Sequence, residues 1–245
     1  MNLKISELFY SIQGEGKRTG FPSYFIRTNY CNLRCKFEGG NLCDTAYTSW
    51  NPEDENNIGD VKISYITKRY KRYNCRDIVI TGGEPTMFPD DLKELCAELK
   101  NIRLDSFITL ETNGTLFSSF IEYIDLVSIS PKLKSSIPRK TEFEKMHSKN
   151  RINLKTLRDY HTNSKIFNYD IQWKFVFTME KDIEEIFELQ EKIGFSREDI
   201  YLMPEAVTKK ELDGRRPFII EFCKKYKLNY TDRLQVSLWN NARGV

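Results

Sequence analysis

The 245-residue chain lacks the features of several common protein classes. Six cysteines are too few for a disulfide scaffold, so a reducing, cytoplasmic compartment is expected. No apolar run is long enough to span a bilayer, and no basic-then-apolar leader follows Met1. A net charge of +3 is too small to indicate direct nucleic-acid binding. With 40% hydrophobic and 30% charged residues, the chain suits a single α/β domain.

Short β-rich runs alternate with amphipathic segments along most of the chain. The runs fall at 77–81, 107–111, 126–130, 172–178 and 201–203, and 182–193 has the clearest helical periodicity. This alternation predicts a mostly parallel sheet with right-handed crossovers. Residues 130–171 have the least regular pattern, so few helices are expected there.

Polar residues follow three of these β-rich runs. They form the segments GGEP (82–85), ETNG (111–114) and SPK (130–132). The paired glycines of the first segment would let its backbone approach a ligand closely. In parallel sheets and in barrels of the same unit, ligands bind at the carboxyl ends of strands. The three segments therefore predict a binding site at one edge of the sheet.

Three cysteines, Cys31, Cys35 and Cys43, lie in CNLRCKFEGGNLCDT with no fourth cysteine close by. A structural zinc site has four protein ligands, whereas a [4Fe–4S] cluster held by three thiolates leaves one iron open for another ligand. Three ordinary core thiols are a further interpretation, although the segment is rich in polar residues. The count of three favours a catalytic cluster.

The remaining cysteines and both histidines have simpler interpretations. Cys96 and Cys223 each lie on the apolar stripe of a predicted helix and are expected in the core. Cys75, His147 or His161 would have to complete a zinc site from a distance. Both histidines have polar neighbours, so exposed positions are expected for them, and Cys75 has no assigned role.

The cysteine segment and GGEP together resemble the radical S-adenosylmethionine (SAM) superfamily. The shared features are a CxxxC pair after a strand, an aromatic residue near the cysteines, and GGEP at the end of the following strand. In that superfamily three cysteines ligate a [4Fe–4S] cluster, and the amino and carboxylate groups of SAM chelate its open iron. Soft thiolates suit iron–sulfur, and the vacancy holds the cosubstrate.

A closer resemblance, to the 7-carboxy-7-deazaguanine synthase family, extends from near residue 5 to the last residues. The matching segments are FYSIQGEG, PSYFIRTNYCNLRC, CDT, ETNGT, SPK and WNNARGV. The resemblance implies a single radical SAM domain over residues 1–245, with a cluster-binding loop at about 31–45. It also implies an incomplete α/β barrel with a reduced helix complement, and a homodimer.

The resemblance assigns roles to individual positions of this chain. Cys31, Cys35 and Cys43 would hold the cluster, and the Thr45 hydroxyl would contribute to Mg²⁺, which takes further ligands from substrate and water. The implied SAM-binding residues are Gly83, Glu84, Asn113, Ser130, Pro131 and Lys132. The implied substrate-binding residues are Ile12, Gln13, Gly14, Glu15, Arg27, Thr81 and, through its carboxylate, Val245. Arg27 suits a pterin carboxylate, since a guanidinium can bind it bidentately.

The implied reaction belongs to queuosine and deazapurine biosynthesis. An electron entering the cluster cleaves SAM, and the 5′-deoxyadenosyl radical takes a hydrogen from C6 of 6-carboxy-5,6,7,8-tetrahydropterin. The ring then contracts, ammonia leaves and 7-carboxy-7-deazaguanine results, while SAM is regenerated and so serves as a cofactor. The protein orients the reactants and excludes water from the radicals.

The cluster also needs an electron donor, and the resemblance implies an acidic flavodoxin or ferredoxin. Residues 130–165 contain ten Lys and Arg against three Asp and Glu. A solvated face, RNA contact and docking of an acidic protein are all interpretations of this stretch. Our hypothesis is that residues 132–165 help to dock the donor.

The spacing between Cys35 and Cys43 departs from the family pattern of CxxxCxxC. Seven residues separate these cysteines, as if EGGNL were inserted, and Gly39 and Gly40 would let the insertion bulge outward. Either Phe37 or Leu42 would then pack beside the adenine of SAM. Two alternatives remain: another radical SAM enzyme, such as a glycyl-radical activase, or a zinc-stabilised binding module.

Overall fold

The computed structural model describes residues 2–245, in which one sheet of nine strands forms the centre of the molecule. The strands are β1 (Asn2–Ile12), β2 (Pro22–Thr28), β3 (Gly59–Lys62), β4 (Asp77–Gly82), β5 (Phe107–Thr112), β6 (Leu126–Ile129), β7 (Asp170–Phe177), β8 (Ile200–Pro204) and β9 (Asn229–Tyr230). Their order across the sheet is β3-β1-β2-β4-β5-β6-β7-β8-β9. β3 and β9 lie at the two ends of this order and do not pair with each other. The sheet therefore does not close, and it forms an incomplete barrel.

Helices cover the sheet and connect its strands. They are α1 (Ala46–Ser49), α2 (Ile63–Tyr73), α3 (Pro89–Ile102), α4 (Glu144–Asn150), α5 (Leu154–Phe167), α6 (Asp182–Ile193), α7 (Lys209–Tyr226) and α8 (Leu234–Trp239). The bounds of α6 match the predicted helix. Cys96 of α3 and Cys223 of α7 are buried in the core, as predicted. No helix of residues 2–245 is long and apolar enough to cross a membrane.

The sheet is parallel from β2 to β9, and the antiparallel strands β1 and β3 extend it at one edge. Every residue of β6, and all of β4 except Gly82, is buried. Strands covered on both faces read as continuous apolar runs, which explains why the sequence predicted them. Since these strands run the same way, Thr28, Gly82 and Thr112 end at one edge of the sheet.

The connection that lacks an α-helix is not the one that the sequence predicted. Between β6 and β7 the structure has both α4 and the 14-residue α5, so the expectation of few helices in 130–171 is wrong. The buried face of α5 contains Thr156 as well as Leu157 and Tyr160, and this mixed stripe obscured its periodicity. The shortened crossover instead joins β5 to β6, where a 3₁₀ turn at Ser119–Tyr123 takes the place of a helix.

His147 is buried in α4 rather than exposed, which corrects the expectation for this residue, whereas His161 of α5 is only partly buried. The Arg34 backbone N–H donates to His147 Nδ1 at 3.3 Å, and Ser136 Oγ lies 3.3 Å from Nε2. Burial, together with the charge of Lys132, lowers the pKa of His147 to about 4. The imidazole is therefore neutral in the folded protein and packs beneath the cysteine loop.

We predict that His147 makes folding sensitive to mild acid. In the unfolded chain its pKa is near 6.5, so between about 6.5 and 4 the unfolded state binds more protons and stability falls as pH drops. From about pH 7 to about pH 5, the free energy of unfolding should fall by about 1–2 kcal/mol more for the wild type than for His147→Gln. Urea titrations at both pH values measure this difference, and equal losses would contradict it.

Candidate active site

A deep cavity opens at the carboxyl edge of the parallel strands, where the sequence predicted a site. It is lined by all but two of the predicted site residues, namely Ile12, Gln13, Gly14, Glu15, Arg27, Cys31, Cys35, Cys43, Thr45, Thr81, Gly83, Asn113, Ser130, Lys132 and Val245. The two exceptions, Glu84 and Pro131, are buried behind the cavity surface. The topology thus gathers residues from most of the chain around one space.

The unusual spacing between Cys35 and Cys43 forms a tight hairpin. Phe37 N donates to Asn41 O at 2.8 Å, Gly40 N donates to Phe37 O at 2.9 Å, and Cys43 N donates to Cys35 O at 3.1 Å. Gly40 has a φ of +92°, a conformation that glycine adopts without strain. The extra residues therefore fold outward, and the hairpin returns Cys43 to a position opposite Cys35.

The hairpin is also fastened to the far side of the cavity. Asn41 Nδ2 donates to Glu205 Oε1 at 3.0 Å, and Arg215 pairs with the other oxygen of Glu205 at 2.8 Å. Phe37 and Leu42 both line the cavity, but Phe37 is buried and Leu42 is exposed. The Phe37 ring and the Leu42 side chain can both contact a ligand in the cavity, and Phe37 is the more buried of the two.

The three thiols have the chemistry of cluster ligands. Burial raises the pKa of Cys31 to about 12 and also raises the pKa of Cys35 and of Cys43, while the charge of Lys132 acts in the opposite direction. Buried thiols become stable thiolates when a metal replaces their protons. The site thus offers three soft ligands at the wall of a space that admits a fourth ligand.

The three thiols line the same cavity. Across residues 2–245, no three His, Cys, Asp or Glu side chains converge tightly enough to bind one metal ion. In a [4Fe–4S] cluster each thiolate binds a different iron of a cube, so the sulfurs must stand farther apart. Three thiols on the wall of one cavity match the number of protein ligands of a cluster with one open iron.

The glycines of GGEP let β4 meet the cysteine loop. Gly83 N donates to Thr28 O at 3.1 Å, and Glu84 N donates to Tyr30 O at 2.8 Å. A Cβ atom on Gly83 would lie 1.8 Å from Tyr30 O, which is a backbone clash. The sequence suggested that these glycines allow close approach to a ligand. The structure shows that Gly83 also allows close approach to the residue before Cys31.

Glu84 fastens the ends of β4 and β5 together. Its buried carboxylate accepts hydrogen bonds from Thr86 Oγ1 at 2.6 Å, from Thr112 Oγ1 at 2.8 Å and from Asn113 N at 2.7 Å. Asn113 in turn donates from Nδ2 to Asn32 Oδ1 at 2.9 Å, within the cysteine loop. Glu84 therefore positions Asn113 at the cavity wall, although its own side chain does not line the cavity.

A network of buried charges forms another part of the cavity wall. Glu111 accepts from Gln13 Nε2 at 3.2 Å and from Thr81 Oγ1 at 2.9 Å. Lys174 Nζ lies 2.6 Å from Glu15 Oε2 and 3.4 Å from Glu111 Oε1. The sequence analysis did not assign Lys174 to the site. Lys174 stands in the apolar strand run IQWKFVF, which indicates that its side chain is buried. A buried lysine needs a charged partner, so this position could have pointed to a charged site.

Arg233 and Gln235 complete the partners of Glu15. Arg233 Nε lies 3.2 Å from Glu15 Oε1 and also pairs with Asp44, and Gln235 Nε2 donates to Glu15 Oε1 at 2.6 Å. Burial acts to raise the pKa of Glu15, but Lys174 and Arg233 outweigh it and hold that pKa well below its usual range. Glu15 is therefore a permanent carboxylate, and its distant partners could not be identified from sequence.

Arg27 presents part of its guanidinium to the cavity. Its Nε donates to Glu7 Oε2 at 2.7 Å, and no residue in the described part of the chain accepts a hydrogen bond from its two terminal nitrogens. Tyr47 and Glu7 raise the pKa of Arg27 against the effect of burial, so it stays charged. A mostly buried guanidinium with a free edge suits a bidentate carboxylate ligand.

Comparisons with known proteins agree with this geometry. A family model described as "Radical SAM superfamily" matches residues 25–189. The 7-carboxy-7-deazaguanine synthase of Halobacterium salinarum is 39% identical, with 98% of this chain and 91% of the relative covered. That of Rhodopirellula baltica is 33% identical over 100% and 89% of the two chains. The crystal structure of QueE from Escherichia coli superposes with a TM-score of 0.68 at 22% identity, covering 96% of this chain and 95% of that chain, and supports the fold.

The open α/β barrel and the three-cysteine loop over its carboxyl edge define a radical SAM protein, and the chain belongs to the radical SAM superfamily. The closer relatives match it over nearly its whole length at 30% identity or more. Within the superfamily, the chain is therefore a member of the 7-carboxy-7-deazaguanine synthase family.

We predict that Gly83→Ala prevents stable assembly of the cluster, because the added methyl must displace the Tyr30 backbone next to Cys31. Iron content after anaerobic reconstitution should fall at least several-fold, and unfolding should occur at a lower temperature. Gly214→Ala is the matched control, since no atom lies within 4 Å of its Cβ position in α7. The control should keep its iron and gain about 0.5–1 kcal/mol of stability. Full iron loading of Gly83→Ala would refute this role.

Proposed function

We propose that this chain is a radical SAM ring-contracting lyase that converts 6-carboxy-5,6,7,8-tetrahydropterin to 7-carboxy-7-deazaguanine with loss of ammonia. Membership of the 7-carboxy-7-deazaguanine synthase family supports this activity and its place in queuosine and deazapurine biosynthesis. The observation that carries the proposal is one cavity lined both by three cysteine thiols and by the free edge of Arg27. The first group fits the cofactors, and the second fits the carboxylate of the substrate.

We propose that Cys31, Cys35 and Cys43 hold a [4Fe–4S] cluster with SAM at its open iron. When bound, these groups supply the 5′-deoxyadenosyl radical that abstracts hydrogen. Lys132 donates from Nζ to Ser130 Oγ at 2.8 Å, which leaves it further donors and a positive charge for the SAM carboxylate. The proposed SAM site also includes Asn113, the backbone of Gly83 and Pro131, and Glu84, whose carboxylate fixes the position of Asn113.

The proposed substrate site lies along the charged wall. Arg27 binds the pterin carboxylate, while Glu15, Gln13 and Thr81 offer hydrogen-bonding groups that match the polar edges of a pterin ring. Ile12 and Gly14 shape the surface beside them. A Cβ on Gly14 would lie 1.8 Å from Gln235 Oε1, so glycine keeps room for that amide. Val245 also lines the cavity and is proposed to contact substrate.

Thr45 is proposed to contribute one ligand to Mg²⁺. Its hydroxyl lines the cavity and lies 3.3 Å from Cys43 Sγ, between the thiols and the charged wall. A single hydroxyl is a weak magnesium site, but Mg²⁺ keeps several waters and takes ligands from bound substrates. The substrate carboxylate would supply such a ligand.

We further propose that residues 1–245 form a single domain within a homodimer. One continuous sheet from β3 to β9 runs through the described chain, which supports a single domain. Light scattering of the purified protein tests the dimer.

The activity is tested by anaerobic incubation of the reconstituted protein with SAM, reductant, Mg²⁺ and 6-carboxy-5,6,7,8-tetrahydropterin, followed by mass analysis. We expect 7-carboxy-7-deazaguanine together with an equal amount of ammonia. Arg27→Gln should weaken substrate use at least tenfold, because one charge-assisted pair is lost. Accumulation of 5′-deoxyadenosine without any deazaguanine would show that the substrate is a different molecule.

We propose an acidic flavodoxin or ferredoxin as the electron donor, docked over α4 and the turn before it. This region packs on the cysteine loop, because Lys36 N donates to Ser136 O at 3.0 Å. The Phe143 ring also packs at about a right angle to the Trp50 ring, and Trp50 Nε1 donates to Cys35 O at 3.0 Å. Its exposed bases are Lys134, Arg139, Lys140, Lys145 and Lys149. The rest of the basic stretch belongs largely to α5, whose last turn points away from the carboxyl edge.

Charge reversal tests this docking surface. Lys145→Glu with Lys149→Glu should slow turnover with the protein donor about tenfold or more at low salt, and the loss should shrink as salt rises. Turnover with dithionite should not change. The matched control is Lys165→Glu with Lys192→Glu, at the carboxyl ends of α5 and α6 on the opposite edge of the sheet. Equal effects of the two pairs would rule out docking over α4.

A further inference from the structure

Arg243 lines the cavity and joins β1, α1 and the loop that contains Asp54 and Asn57. Its Nε lies 3.2 Å from Glu7 Oε1 in β1, and its Nη1 lies 3.1 Å from Asp54 Oδ1. Nη2 donates to Asn57 Oδ1 at 3.0 Å, and the guanidinium stacks over the Tyr47 ring of α1 at 3.7 Å. A guanidinium held by two carboxylates, an amide and a ring has a fixed position and little freedom to bind anything else.

Glu7 connects Arg243 to Arg27. Glu7 Oε2 accepts from Arg27 Nε at 2.7 Å and from the Tyr47 hydroxyl at 2.8 Å, while Oε1 faces Arg243. Glu7 is buried. With both oxygens engaged, the carboxylate meets only the Nε edge of Arg27 and leaves the terminal nitrogens unpartnered. With Asp54 included, the group contains two guanidinium charges and two carboxylate charges, so an anion is attracted by the open edge of Arg27 and not by a net charge of the group.

We infer that Arg243 is a positioning residue that keeps the free edge of Arg27 open for a carboxylate substrate. This inference rests on the proposed function. Without Arg243, Oε1 of Glu7 loses its partner, and the carboxylate can turn to bind the terminal nitrogens of Arg27 bidentately. Glu7 would then occupy the place of the substrate carboxylate and neutralise the charge of Arg27 that attracts this anion.

A purely structural role for Arg243 would have different consequences. If the side chain only fastened residues 240–245 against the wall, its loss would weaken binding of any pterin. The inferred role instead affects only ligands that carry the carboxylate, and it acts through Glu7. Comparing two pterins and removing Glu7 therefore separates the two explanations.

The experiment measures steady-state kinetics of anaerobically reconstituted Arg243→Gln and Arg243→Lys. For Arg243→Gln we expect KM for 6-carboxy-5,6,7,8-tetrahydropterin to rise on the order of tenfold or more, with kcat and the KM for SAM changed less than about threefold. Arg243→Lys should lie between this variant and the wild type. Inhibition by tetrahydropterin without the carboxylate should not change. Arg103→Gln is the matched control, because Arg103 pairs with Asp105 at the opposite edge of the sheet.

The double variant Glu7→Gln with Arg243→Gln gives the sharpest outcome. If Glu7 competes for Arg27 once Arg243 is lost, removing the charge of Glu7 should recover a large part of the lost substrate affinity. Two results would overturn the inference: an unchanged KM in Arg243→Gln, or equal weakening of both pterins without recovery in the double variant. Failure of the wild type to convert the pterin would instead defeat the proposed function, and the inference with it.

Discussion

The close contact between the end of β4 and the cysteine loop is the constraint on which the site depends. Gly83 and Tyr30 approach so closely that no side chain fits between them. This contact fixes the position of Cys31 relative to the carboxyl end of β4. The hydrogen bonds of Glu84 to Thr112 and Asn113 fix the end of β5 beside it. The hairpin between Cys35 and Cys43 then fixes the positions of the other two cysteines. Three thiols are thereby presented to one cavity by backbone geometry.

The rest of the cavity follows from the need to pair buried charges. Lys174 and Arg233 are almost fully buried, and each is matched by carboxylates of Glu15, Glu111 or Asp44. These pairs hold the wall rigid, and the two cations have few donors left for a ligand because most of their hydrogen bonds are already made. Arg27 is different, since only its Nε edge is engaged. The structure thus separates charges that build the cavity from a charge that is open to a ligand.

The sequence predicted the parts of the molecule that local patterns determine. The parallel strands are continuous apolar runs, α6 has a clear periodicity, and the cysteines stand in one short segment. It failed where tertiary contacts override local pattern. The mixed stripe of α5 hid a helix, and His147 is buried because the cysteine loop packs on it. The roles of Arg233 and Arg243 were invisible for a simpler reason: each pairs with carboxylates about 190 residues or more away in sequence.

The central claim is that three cysteines hold a cluster whose open iron binds SAM. Metal analysis and electron paramagnetic resonance of the anaerobically reconstituted, reduced protein, recorded with and without SAM, test it most directly. The account predicts about four irons per chain and a [4Fe–4S]⁺ spectrum that changes when SAM is added. Tightly bound zinc without iron, or a cluster spectrum that SAM leaves unchanged, would contradict it.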